Sequence, residues 1–277
     1  MPVIRLGLIG DNIAASRAPE LHRAAGALCG IEIRYDLLVP KALQLDFDAV
    51  FDRAYGKGYR GLNITYPYKE RVMRRVVSDP HLRALGACNT ALFDGATAAG
   101  ANTDYTGFAR AFRARFGSSS PGVVTIAGCG GAGRAIAFAL ADLGAKALRL
   151  FDQERTKVVG LQDSIRAIHP DLDVLAASSV VDACDGADGL VNATPLGMVG
   201  IGGNAFPSSV LPGRAWAFDA VYTPVDTPFL LGARARGLAA MSGFELYFYQ
   251  GVDAFKLFTQ RDVDVDALRA ELARQSS

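Results

Sequence analysis

The chain has 277 residues, half of them apolar, and a formal net charge of +1, so it is long enough for two ordinary domains and carries no electrostatic bias toward nucleic acid or an anionic membrane. No apolar run reaches the ~18–20 residues that a membrane-spanning helix needs. The four cysteines (Cys29, Cys88, Cys129, Cys184) and three histidines (His22, His81, His169) are scattered, which excludes a C-x-x-C pair and predicts neither a disulfide framework nor a metal site. The first residues run straight into a strand pattern with no targeting segment, so the expected setting is cytoplasmic, with no membrane and no nucleic acid as partner.

The first hundred residues alternate strands and helices. Val3 to Ile9 is an apolar strand; Ser16 is the expected N-cap of a helix with Pro19 in its first turn, running to about Cys29. A strand over Ile33 to Val39 and a helix over Leu43 to Tyr55 follow, the helix ending at Gly56-Lys57-Gly58. Tyr59 to Thr65 is a strand, and Pro67 opens a helix over Tyr68 to Val77. Cys88 to Phe93 and Thr97 to Ala101 flank Asp94-Gly95, a hairpin turn signal. A helix over Tyr105 to Phe116 leads into the polar, breaker-rich run Gly117 to Gly122, which reads as a connector.

The second half reads as a βαβ series, with strands over Val123–Ala127, Ala147–Phe151, Leu172–Leu175, Gly189–Asn192 and Ala215–Val221. Helices over Leu246 to Phe258 and Val265 to Gln275 close the chain. The most telling stretch follows Val123–Ala127, where Gly128-Cys129-Gly130-Gly131-Ala132-Gly133 forms Gly-x-Gly-x-x-Gly between a strand and a helix. Gly128 permits the tight turn, Gly130 lets a pyrophosphate approach the backbone, and Gly133 lets helix and strand pack closely, while the helix N-terminus presents N–H groups. Asp152 lies 24 residues beyond Gly128, where an acid accepts from the adenosine ribose hydroxyls. A carboxylate there repels the extra phosphate of NADP, so NAD is the expected cofactor; Arg155 and Lys157 keep NADP possible. The alternative role for Asp152 is to cap the next helix. The fold class is therefore α/β: an N-terminal βα domain over residues 1–104, completed by 240–277, plus a Rossmann-type, doubly wound parallel-sheet domain over 105–239.

Two polar segments stand at expected strand ends in the first half: Asn63-Ile64-Thr65-Tyr66-Pro67-Tyr68-Lys69, and Gly86-Ala87-Cys88-Asn89-Thr90 followed by Asn102-Thr103-Asp104. With these, the glycine loop, Asn192-Ala193-Thr194-Pro195-Leu196-Gly197-Met198, Asp219-Ala220-Val221-Tyr222-Thr223-Pro224 and Gln250-Gly251-Val252-Asp253-Ala254-Phe255, the chain resembles the shikimate dehydrogenase family, including its quinate/shikimate branch, over nearly its whole length. The resemblance implies an oxidoreductase that interconverts a ring hydroxyl and ketone of a cyclic hydroxy acid bound between the two domains. It implies Lys69 as proton donor and acceptor and Asp104 as its partner. Ser16, Thr65, Asn89, Tyr222 and Gln250 are implied as substrate-binding, since amides and hydroxyls suit a polyol acid. Gly128, Gly130, Gly131, Ala132, Gly133, Asp152, Thr194, Met198, Val221 and Gly243 are implied as cofactor-binding, although apolar Met198 and Val221 equally suit a core. No metal is implied, and a monomer or homodimer is expected.

Two departures from the family's pattern bear on the substrate. The family places two hydroxyl residues before the proline of its first helix, whereas Ala15-Ser16-Arg17-Ala18-Pro19 offers Ser16 and then Ala18, with Arg17 as the available compensation for a lost donor to the substrate carboxylate. Glu245 stands where many members have glycine. An amino analogue such as aminoshikimate, or a non-catalytic nucleotide-binding role, is the alternative these changes leave open. In the cofactor region, NADP-using members carry Asn-Arg-Thr, whereas Phe151-Asp152-Gln153-Glu154-Arg155-Thr156-Lys157 is more similar to the NAD-using members.

Overall fold

The computed structural model describes residues 3–95, 97–211 and 216–275, so Ala215, the first residue of one expected strand, lies outside the described residues. The chain divides into two compact units, one comprising Met1–Thr103 with Gln250–Ser277 and the other Asp104–Tyr249.

The first unit carries strands β1 (Val3–Ile9), β2 (Glu32–Leu38), β3 (Gly61–Ile64), β4 (Thr90–Asp94) and β5 (Thr97–Ala101), with helices α1 (Ala18–Leu28), α2 (Pro40–Leu43), α3 (Phe47–Gly56) and α4 (Pro80–Leu85) between them. The strands form one sheet in the order β2-β1-β3-β4-β5, parallel across β2, β1 and β3 and antiparallel through the β4–β5 hairpin. Its core on one side gathers Ile9, Phe47, Val50, Phe51, Leu62, Ile64, Val72 and Phe93.

Three elements differ from the sequence expectation, each for a local reason. The single helix expected over Leu43 to Tyr55 is broken, because Gln44 adopts a left-handed conformation (φ 54°) and Asp46 caps a new start by accepting the Ala49 N–H at 2.8 Å. The helix expected over Tyr68 to Val77 is reduced to a 3₁₀ turn, Arg71–Arg75. The Lys69 carbonyl accepts the Cys88 N–H at 2.8 Å, so Met73 bonds back to Glu70 instead, and Val77 joins the β5 edge through Ala98 and Gly100. Ser16 is not the N-cap of α1. That position is Arg17, with no side-chain cap, while Ser16 Oγ accepts the Ala18 N–H at 3.3 Å. Helix α4 begins at Asp79-Pro80, a cap-plus-proline start that the sequence reading passed over.

The second unit is entered within α5 (Thr103–Phe116) and continues through β6 (Val123–Ala127), α6 (Gly131–Asp142), β7 (Ala147–Phe151), α7 (Arg155–Ile168), β8 (Asp173–Ala176), α8 (Val180–Cys184), β9 (Gly189–Asn192), β10 (Trp216–Asp219), α9 (Pro228–Ala235) and β11 (Ala239–Met241). The chain leaves it within α10 (Gly243–Thr259), and α11 (Val265–Gln275) ends the described chain. The six strands are all parallel in the order β11-β10-β9-β6-β7-β8, the doubly wound arrangement whose strand order reverses between β6 and β9. The crossing between units falls at 103/104 and 249/250, so the return lies inside α10 rather than at residue 240. No helix of the described residues is long and apolar enough to cross a membrane.

Candidate active site

The reversal point of a doubly wound sheet is where backbone groups diverge and a ligand can enter, and here it is formed by the ends of β6 and β9. Gly128 leaves β6 at φ +98°, and a Cβ on it would stand 2.7 Å from the Ala193 carbonyl carbon. Gly133 is tighter still: an added Cβ would lie 1.9 Å from the Gly128 carbonyl oxygen, so the first turn of α6 closes directly on the loop. Gly130 differs from both, because nothing stands within 4 Å of the position its Cβ would take. That open face lies at the N-cap of α6, where no side chain caps the helix. Gly131, Ala132 and Gly133 form the first turn, whose N–H groups have no intrahelical acceptor, so the cradle fits a diphosphate.

Asp152 follows β7 and is tied into this loop. Its Oδ2 accepts the Cys129 N–H at 2.7 Å and its Oδ1 accepts the Glu154 N–H at 2.9 Å. The capping alternative fails, since Glu154 is the N-cap of α7 and makes no side-chain cap bond. Lys157 is paired with Glu154 at 2.5 Å, and Arg155 reaches the Ala177 carbonyl at 3.5 Å. Of the two cations that kept NADP open, Lys157 is thus paired within its own segment and Arg155 reaches across to the residue after β8.

Beyond β9, Asn192 shapes the next loop. Its Nδ2 donates to the Leu196 carbonyl at 3.0 Å and to Asp219 Oδ1 at 2.9 Å, and its Oδ1 accepts the Thr194 N–H and hydroxyl at 3.0 and 2.6 Å. Asp219 is fully buried at the end of β10; it also accepts from the Thr227 hydroxyl at 2.6 Å and the Val221 N–H at 2.9 Å. Burial pushes its carboxyl up to about 6, against the pull of these three hydrogen bonds. Val221 is 7% exposed and Met198 39%, so the first packs into the core and the second stands at the surface. Gly243 is required by packing: a Cβ there would meet the Ala220 and Val221 carbonyl oxygens at 2.5 and 2.6 Å. Tyr222 stacks on Tyr247 with ring centroids 5.2 Å apart, in the second unit.

In the first unit, Thr65 follows β3, its N–H bonded to the Ile9 carbonyl at 2.9 Å and its methyl pressed against Gly10, where a Cβ would stand 2.3 Å away. Lys69 is half-buried and its backbone is anchored to Cys88 as described. Asn89 is 4% exposed, and its Oδ1 accepts the Thr103 N–H at 2.7 Å and the Thr90 hydroxyl at 3.0 Å. Gln250 joins the same group through Thr103 Oγ1 at 3.4 Å, so Asn89 and Gln250 come together while Ser16 caps a turn before α1. Asp104 is 8% exposed and belongs to the second unit, Lys69 to the first. Arg17 spends two donors on Glu20, at 2.9 and 2.7 Å, within its own helix turn. Behind Asn89, His22 is fully buried and stacked on Tyr35 at 4.9 Å, and desolvation lowers its imidazole to about 3 despite an opposing hydrogen bond with Asn63.

Asn63, Thr90, Thr103, Asn192 and Asp219 occur in the quoted motifs but carry no assigned role there, and Gly10 lies outside all of them. The available signal was an apolar strand that ends on one polar residue, as in Gly189-Leu190-Val191-Asn192 and Trp216-Ala217-Phe218-Asp219. No group of three or more His, Cys, Asp or Glu side chains able to hold a metal occurs among the described residues.

Comparison with known proteins gives a consistent neighbourhood. Residues 8–91 match the profile of the shikimate dehydrogenase substrate binding domain. A quinate/shikimate dehydrogenase (NAD(+)) of Corynebacterium efficiens is 38% identical, with 96% of each chain covered. The structure of quinate dehydrogenase from Corynebacterium glutamicum in complex with NAD superposes with a TM-score of 0.92 at 34% identity, covering 99% of this chain and 100% of that one. Shikimate 5-dehydrogenase of Thermus thermophilus, solved with NADP(H) and shikimate, gives a TM-score of 0.84 at 29% identity, covering 98% and 99%.

Proposed function

Because the chain belongs to the shikimate dehydrogenase family, we propose that it is an NAD-dependent oxidoreductase interconverting a ring hydroxyl and ketone of a shikimate- or quinate-type cyclic hydroxy acid. The observation that carries this reading is the glycine loop at the sheet's reversal point, open at Gly130 and pinned by the Asp152 carboxylate. The open glycine and the helix N-terminus would hold the diphosphate, and Asp152 the adenosine ribose. The acid favours NAD over NADP, and the Lys157–Glu154 pair supports that preference by occupying a nearby cation. The bound nicotinamide would exchange a hydride with the ring carbon.

The remaining chemistry belongs to the chain itself. Lys69 takes the hydroxyl proton when the alcohol is oxidised and returns it when the ketone is reduced, which is general acid–base work at the ring oxygen. Asp104 is the second group of that proton-transfer step. Asn89, Thr65 and Gln250 bind ring hydroxyls, and Ser16 and Tyr222 serve the carboxylate end. Ala18 supplies no hydroxyl there, and Arg17, already paired with Glu20, is not a ready replacement. Quinate and shikimate are therefore the first compounds to test, and their amino analogues the second. The four cysteines are free thiols, which supports a cytoplasmic setting.

The test is reduced-nicotinamide absorbance with shikimate and quinate and with NAD and NADP, on the parent protein and on Lys69→Ala. Turnover with NAD that falls by roughly 10²–10⁴ in kcat in the variant, with dinucleotide binding retained, is the expected result. Full activity of Lys69→Ala would remove the lysine from the mechanism. Dinucleotide binding without turnover of any ring acid would replace the enzyme reading with a sensor.

A further inference from the structure

The buried polar side chains behind Asn89 form a hydrogen-bond chain whose direction follows atom by atom. Tyr35, 3% exposed on β2, donates its one hydroxyl proton to Asn63 Oδ1 at 2.8 Å. Asn63 Nδ2 then faces Thr90 Oγ1 at 3.1 Å and the Asn89 backbone carbonyl at 3.5 Å. A backbone carbonyl only accepts, which identifies the nitrogen end of the Asn63 amide. Thr90 Oγ1, accepting from Asn63, sends its own proton to Asn89 Oδ1 at 3.0 Å, a nearer acceptor than Thr103 Oγ1 at 3.3 Å. Asn89 Oδ1 also accepts the Thr103 backbone N–H at 2.7 Å, and a backbone N–H only donates. The two lone pairs of that oxygen are thereby taken. Asn89 Nδ2 gives one proton to Thr103 Oγ1 at 3.0 Å, and the Thr103 hydroxyl faces two acceptors, Asn89 Oδ1 at 3.2 Å and Gln250 Oε1 at 3.4 Å, the first of which only adds to the load on that oxygen. What remains to Asn89 is one N–H donor and no acceptor.

We propose that Thr90, oriented by Asn63 and Tyr35, is a positioning residue that makes Asn89 a donor only, so that the ring atom it meets must be an acceptor oxygen and an ammonium at that position is rejected. The proposal rests on the reading of Asn89 as a substrate contact. A hydroxyl or keto oxygen has lone pairs for the remaining N–H. An ammonium has three donors and none, so it would set donor against donor beside a side chain that is only 4% exposed. The chain thus separates hydroxy acids from their amino analogues through the neutral side chains of Tyr35, Asn63, Thr90 and Asn89. Thr90 itself is fully buried, so it acts only through Asn89.

Thr90→Val keeps the shape and removes the hydroxyl, leaving Asn63 Nδ2 and Asn89 Oδ1 each short of a partner. Calorimetric titration of the purified protein with shikimate or quinate is expected to show affinity about tenfold weaker in this variant, with the KM for the ring acid raised in step and the KM for NAD unchanged. Thr90→Ser restores the parent values to within about twofold, and Tyr35→Phe gives a smaller loss in the same direction. On the parent protein, a set of analogues with one ring hydroxyl at a time replaced by ammonium is expected to include at least one bound about a hundredfold more weakly than its hydroxy acid. Unchanged ring-acid affinity in Thr90→Val, an equal rise in both KM values, or uniformly tight binding of all the amino analogues overturns the proposal alone. Parent protein that binds no ring hydroxy acid overturns the functional reading and this proposal together. The parent-protein arm and Tyr35→Phe keep the test decisive if Thr90→Val does not fold.

Discussion

Two glycines three residues apart in the loop after β6 should respond in opposite ways to the same added methyl group. Gly133→Ala places a Cβ 1.9 Å from the Gly128 carbonyl oxygen, a backbone atom that cannot swing aside. Alanine gains up to ~1 kcal/mol in helix propensity over glycine. The loop must nevertheless move by more than an ångström to reach ordinary contact, and overpacking of this kind costs about 1–3 kcal/mol or more. The net expectation is a melting midpoint lower by several degrees, with dinucleotide affinity lost because the loop itself has shifted. Gly130→Ala meets nothing within 4 Å, and its φ of −77° with ψ of −168° is ordinary extended backbone. Its effect on the free protein is neutral, or stabilising by about 0.4–1 kcal/mol through the less flexible unfolded chain. Its methyl nevertheless fills the space a diphosphate would occupy. Losing a hydrogen bond to a charged group is worth ~1.5–3 kcal/mol, so the Kd for NAD should rise roughly ten- to a hundred-fold. Thermal melts without ligand and calorimetric titration with NAD separate the two effects. Gly130→Ala binding NAD as tightly as the parent would refute the assignment of the loop, and Gly133→Ala melting with the parent would refute the packing argument.

Asp152→Asn keeps an acceptor for the Cys129 N–H but removes the charge, so NAD should weaken about tenfold while the preference against NADP relaxes, as read by Kd values for both dinucleotides. His22 gives a pH test. Its imidazole, lowered to about 3 from an ordinary 6.5, is neutral when folded and protonates more readily when unfolded. Its contribution is therefore complete above about pH 6.5 and is lost as the pH falls from there through about 3, a matter of several kcal/mol at most. His22→Phe, packed against Tyr35, Phe255 and Phe258, should flatten that part of the stability–pH curve in denaturant titrations; an unchanged slope would show that His22 does not titrate on unfolding. Ala18→Ser restores a hydroxyl before α1 and should lower the KM for a ring carboxylate roughly tenfold if that end of the substrate lies there, with the KM for NAD unaffected.

The glycine loop, the parallel strands and the acid after β7 were legible in the sequence because each is a local requirement: a turn without a Cβ, an apolar run of strand length, a carboxylate at fixed reach. The same held for β1, β9 and the β4–β5 hairpin. Local rules also misjudged several elements where a distant partner intervened. Nothing in Tyr68 to Val77 announces that the Lys69 carbonyl will bond the N–H of Cys88, which stops the α-helix and anchors the lysine's backbone. Arg17 stood open as a carboxylate ligand until the fold paired it with Glu20.

From the sequence alone came the α/β class, the two halves, the nucleotide loop and the family resemblance, all of which depend on residues close together in the chain or in a fixed order along it. Only the tertiary structure revealed that Asp219 clamps Asn192 and Thr227, and that Tyr35, Asn63 and Thr90 set the polarity of Asn89. The reason is that hydrogen-bond direction and close packing are properties of atoms brought together from separate strands. A sequence states which donors and acceptors exist, and the fold decides which of them are already spent.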